Sequence, residues 1–76
     1  MQEKLLLLRK RHKYSQTFMA EQLGMSTTQY GLKERGEYEF TSDEMFKASE
    51  IFDERIEDIF LPRSHRIGDK NKEVTK

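Results

Sequence analysis

Apolar residues in this chain come in short bursts spaced by three or four positions, and single turn-forming residues separate the bursts. Leu5 and Leu8 sit one helical turn apart in a helix predicted over residues 2–12. Leu6 and Leu7 point elsewhere on that helix and are expected to widen its buried stripe. Tyr14 precedes a candidate cap, Ser15, and is placed to staple against the first turn of a second helix, about 16–23. Met19, Ala20 and Leu23 face inward from it, with Phe18 on another side. Gly24 ends that helix, since glycine takes the left-handed conformation a helix C-terminus wants, and Met25 turns back toward the core. Ser26 caps a third helix, about 27–35, with Gln29 at capping-box spacing and Gly36 as its stop.

The alternating piece Glu37-Tyr38-Glu39-Phe40 follows, with Phe40 expected to plug the core. Thr41 and Glu44 form a second capping box at the start of a helix that runs to about Phe52. Met45, Ala48, Ser49 and Phe52 share one of its faces, flanked by Phe46 and Ile51. Asp53 ends it, because Asp tolerates left-handed geometry. A last short helix, about 55–61, turns Ile56, Ile59 and Phe60 inward before Pro62 closes it. Beyond that only Ile67 and Val74 are apolar, without helical period, so 63–76 is expected to be a mobile basic tail. Five helices, no strand and short connections predict one all-α bundle over residues 1–62.

The 76 residues allow a single domain with a modest core, which dimerisation would help. There is no cysteine, and His12 and His65 lie far apart, so no metal site or cofactor is expected. The longest apolar run, Leu5 to Leu8, is too short for a signal or a membrane span, which makes a cytoplasmic protein the expectation. Fourteen bases and fourteen acids cancel, but they are segregated. Residues 1–13 carry five bases against Glu3, while residues 37–60 carry nine acids against Lys47 and Arg55. Residues 61–76 are again basic, five against two. Such a chain binds a polyanion only if the basic parts share a face and the acidic part turns away.

Two short helices around a glycine turn, Ser15 to Gly36, form a helix-turn-helix pattern, although an ordinary helical hairpin has the same spacing. Further markers surround it: Leu8-Arg9, Ser15-Gln16, Met19-Ala20, Leu23-Gly24-Met25-Ser26, Glu34-Arg35-Gly36 and Ile56-Glu57-Asp58-Ile59-Phe60. In this order and spacing, without a gap from about Leu5 to Phe60, they resemble the phage repressor and Cro-like, Xre-type helix-turn-helix domains.

The resemblance implies a five-helix repressor-like fold in which Arg9 and Glu34 pair, tying the first helix to the end of the third. Guanidinium and carboxylate make a bidentate, charge-assisted pair, and removing one partner of a partly buried pair costs on the order of 3 kcal/mol. It also implies that Gln16 holds a DNA phosphate and braces the third helix, and the exposed N–H groups of a helix N-terminus suit an anion there. The third helix becomes the recognition helix, whose first turns present Thr27, Thr28, Gln29, Gly31 and Leu32 to base edges in the major groove. Gln29 also has the capping task. Lys13 and Arg35 are phosphate candidates. Gly31 is a departure, since glycine inside a helix costs about 0.8–1 kcal/mol relative to Ala. Close approach to DNA is one physical reason for it. Lys33 stands where many members carry a bulky apolar residue, so its aliphatic stem must seal the core there.

The function so implied is sequence-specific binding of double-stranded DNA by a homodimeric transcriptional regulator on a near-palindromic operator, with no membrane or small-molecule partner. The acidic stretch 37–60 and the unassigned Leu6, Leu7, Phe18 and Phe46 support a rival reading, a helical protein-interaction module such as an anti-repressor. No nucleophile–base pair or phosphate-cradling glycine loop points to an enzyme.

Overall fold

Gly24 adopts φ 75°, and the turn it makes sets the hairpin on which the rest of the fold is built. In a computed structural model that describes residues 1–62, five helices follow one another: α1 (Glu3–Arg11), α2 (Gln16–Leu23), α3 (Thr27–Glu34), α4 (Ser42–Phe52) and α5 (Ile56–Ile59). The expectation of a mobile tail concerns residues 63–76, which lie outside the described residues.

The helix starts follow from local side-chain chemistry. The Ser15 hydroxyl accepts from the Phe18 N–H at 2.9 Å. Ser26 with Gln29, and Thr41 with Glu44, make complete capping boxes. These bonds satisfy donors that a helix N-terminus otherwise leaves open. The ends of α1, α2 and α3 share another device. The backbone turns left-handed at Lys13, Gly24 and Gly36, and the following N–H reaches back into the last helical turn. Asp53, at φ 54°, ends α4 the same way.

The two arms of the hairpin pack against each other, α2 and α3 both facing a core that α1, α4 and α5 complete. Leu5, Met19, Tyr30 and Ile59 are fully buried at its centre, with Leu8, Ala20, Phe40, Ala48, Phe52 and Phe60 around them. Each large side chain so buried stabilises the fold by about 1.5–3 kcal/mol. Phe40 does plug the core, its ring 6.1 Å from that of Tyr30 and 5.0 Å from that of Phe60. Tyr14 closes on Phe18 with ring centroids 4.5 Å apart, and both pack against the core from its edge.

Leu7 corrects the expectation of a wider buried stripe on α1. It is 61% exposed, and Leu6 is only half-buried. The stripe of a nine-residue helix that packs on one side ends with Leu5 and Leu8, and Leu7 lies across the helix from them. Helix α5 is also shorter than the expected 55–61, because Phe60 already has extended backbone. Gln2, by contrast, is 7% exposed although it is polar and precedes α1. Its carboxamide donates to the Leu61 carbonyl at 3.1 Å and accepts from the Leu61 N–H at 2.7 Å. Its own N–H donates to the Glu34 carbonyl at 2.8 Å.

Candidate nucleic-acid interface

The first turn of α3 is exposed, and what holds α3 in place determines what that turn can touch. The anchor is Glu34, the last residue of the helix, only 4% exposed. Arg9 reaches it from α1 in two contacts, Nε to Oε2 at 2.8 Å and Nη2 to Oε1 at 3.3 Å. Gln16 at the start of α2 donates its amide to Oε1 at 2.9 Å, and the buried Tyr30 hydroxyl donates to Oε2 at 2.8 Å. The third nitrogen of Arg9 holds the Tyr14 carbonyl at 2.9 Å, which fixes the turn between α1 and α2. One carboxylate therefore joins α1, α2 and α3.

The electrostatics follow from that geometry. Burial alone would push the Glu34 carboxyl up, but the donors from Arg9, Gln16 and Tyr30 outweigh it and hold it below the ordinary carboxylate value. The bond to Glu34 raises the Arg9 guanidinium further, against the cost of its own burial. Burial, reinforced by the bond to Glu34, pushes the Tyr30 phenol up, so it stays a neutral donor.

The residues expected to read bases fall into three settings. Thr27 and Thr28 are exposed on the first turn of α3. The Thr27 hydroxyl lies 3.3 Å from that of Thr17, which the sequence did not mark and which brings α2 to the same edge. Gln29 is exposed, but its Oε1 accepts from the Ser26 N–H at 3.1 Å while the Ser26 hydroxyl accepts from the Gln29 N–H. Gly31 and Leu32 lie deeper, Gly31 buried and Leu32 half-buried. A Cβ built on Gly31 would stand 3.4 Å from Arg35 Nη1 and 3.9 Å from both ends of the Gln16 carboxamide. Two flexible polar side chains thus cover this glycine.

The phosphate candidates also differ in setting. Gln16 is half-buried and committed on one side to Glu34. Arg35 is exposed beside Gly31, with its Nε donating to Glu37 Oε2 at 2.9 Å. Lys13 is exposed just past α1 and holds φ 61°, where an L-residue is strained. Nothing in the residue type announced that strain; the turn into α2 imposes it. The expectation for Lys33 concerns its stem, but the contacts that place it are made by its head group. Its ammonium meets both oxygens of Glu44, at 2.7 and 2.9 Å, with both side chains 17% exposed. Glu44 therefore caps α4 and binds α3 at once, and only its capping role was legible from spacing.

Among the described residues, no group of three or more His, Cys, Asp or Glu side chains is placed to hold a metal ion, and no helix is long and apolar enough to cross a membrane. A family model described as helix-turn-helix matches residues 5–59. No curated protein and no solved structure matches the chain.

Proposed function

Because this chain belongs to the Xre/Cro-like helix-turn-helix family of DNA-binding regulators, we propose that it is a sequence-specific, cytoplasmic transcriptional regulator that grips a near-palindromic operator as a homodimer. The observation that carries this reading is the Glu34 anchor, which fixes α3 against α1 and α2 while leaving Thr27 and Thr28 exposed. In this reading the first turns of α3 enter the major groove. Thr27, Thr28 and Gln29 offer hydrogen bonds or methyl contact to base edges, with Gly31 and Leu32 one turn behind. Gln16 beside the N-terminus of α2, Lys13 and Arg35 hold phosphates and set the register. The region from Arg55 to Pro62 supplies the dimer contact. Repression is then steric, an occupied operator excluding polymerase or a rival regulator. The recognition turn carries no Arg, so the reading implies A·T-leaning or modest specificity.

Selection of bound sites from random DNA tests it. The expected product is a pair of half-sites about 34 Å apart, centre to centre. Failure to enrich any sequence, with affinity insensitive to salt, overturns the reading. A second reading, a protein-interaction module such as an anti-repressor, draws support from Leu7, Tyr38 and Phe46, each at least 60% exposed. It predicts the outcome that overturns the first.

A further inference from the structure

Glu37 stands out in the surface around α3, because it is an acid placed where a polyanion would approach. Its carboxylate accepts from Arg35 Nε at 2.9 Å. The pair is open to solvent, the two side chains 52% and 57% exposed. The same guanidinium lies over Gly31, with Nη1 3.4 Å from the point a Cβ would occupy and the Gln16 carboxamide at 3.9 Å. Two donor groups thus converge above a residue that has no side chain, and both are engaged: Glu37 accepts from Arg35 Nε, and the Gln16 amide donates to Glu34 Oε1 at 2.9 Å. An exposed ion pair of this kind contributes little to the fold and is given up easily to a competing anion.

We propose that Glu37 is an affinity-setting residue of the nucleic-acid edge, an internal carboxylate that competes with a DNA phosphodiester for Arg35. This rests on the reading of the chain as DNA-binding. Binding at this edge is an exchange of anions: the phosphodiester takes the guanidinium over Gly31, and the Glu37 carboxylate is released to water. The exchange offsets part of the gain Arg35 would otherwise bring. Glu37 thereby weakens binding equally on all sequences, since a phosphate contact carries no base information. Discrimination then rests more heavily on the first turn of α3.

The test is a fluorescence titration of a mixed-sequence double-stranded DNA at several salt concentrations. It uses the full chain, Glu37→Gln, Arg35→Gln and the double variant, after their melting temperatures have been shown to match. Without Glu37, Arg35 meets the phosphate with no anion to give up, and the edge carries one negative charge fewer. Glu37→Gln is therefore expected to bind more tightly at low salt and to steepen the log–log salt slope by about 0.9. That slope corresponds to about 3.5-fold greater loss of affinity between 50 and 200 mM salt. In the Arg35→Gln background the Glu37 substitution is expected to change nothing. An equal gain in both backgrounds means diffuse repulsion by Glu37 and overturns the proposal while leaving DNA binding intact. No effect of Glu37→Gln in either background overturns it likewise. Absence of salt-dependent binding by the unaltered chain overturns both this proposal and the function it rests on.

Discussion

Four hydrogen bonds converge on the Glu34 carboxylate, and a buried charge is tolerable only while such partners are present. Glu34→Gln removes the charge and leaves the Arg9 guanidinium unmatched, so a loss of roughly 3 kcal/mol is expected in urea unfolding at neutral pH. The pH dependence has a definite sign. The folded carboxyl lies below its ordinary value, so its contribution is complete above the unfolded value, about 4.3. It is lost as pH falls through the lower folded value. The parent protein should therefore lose stability on acidification in a step that Glu34→Gln does not show. Gly31 is the opposite case. A Cβ there meets only flexible side-chain ends, so Gly31→Ala is expected to raise stability by about 0.8–1 kcal/mol, read as a higher melting temperature. DNA affinity should fall at the same time, because the methyl group fills the space beneath Arg35 and Gln16. Of these residues, Tyr30 and Glu34 share a face by their i, i+4 spacing. The approach of Arg9 and Gln16 from two other helices is tertiary, and it was accessible only through the resemblance to a family.

Helix boundaries divide into those written locally and those imposed from outside. Ser15, Ser26 and Thr41 act on N–H groups three residues ahead, so short-range spacing was enough to find them. Gly24, Gly36 and Asp53 end helices with residue types that favour positive φ. Lys13 does the same job with a residue that does not, and no local signal marked it. Its Schellman-type closure, Lys13 N–H to the Lys10 carbonyl and Tyr14 N–H to that of Arg9, would suit glycine better. Lys13→Gly is therefore expected to stabilise the protein by about 1 kcal/mol in thermal unfolding. If Lys13 holds a phosphate, the same change should flatten the salt dependence of DNA binding by about one counterion. Strain kept at an exposed lysine would then be a cost borne for function. Helix α5 ended early for another reason: Phe60 turns extended to enter the core, and burial outweighed the helical spacing of its neighbours.

Across the whole molecule, long-range polar ties were the least legible feature. Lys33–Glu44 joins α3 to α4, and Gln2–Leu61 joins positions 59 residues apart. A lone Gln near one end of a sequence carries no sign that it will be buried, because its partner is a backbone group brought near only by the finished fold. Gln2→Ala leaves the Leu61 N–H and carbonyl without their bonds and should cost about 2 kcal/mol in urea unfolding. The charge segregation was legible as composition, with nine acids in 37–60. What composition could not give was their use: Glu44 within an inter-helix pair, Glu37 against Arg35, and Asp58 against Arg55 at 2.9 Å.

The Gln2 clamp also has a mechanical meaning. A pull on the chain beyond Pro62 loads Leu61 first, and Leu61 passes the force to the Gln2 carboxamide. Gln2 in turn donates its N–H to the Glu34 carbonyl, at the C-terminal end of α3, and accepts at its own carbonyl from the Leu6 N–H of α1. A load at Leu61 is therefore shared between α1 and the helix that carries Thr27 and Thr28.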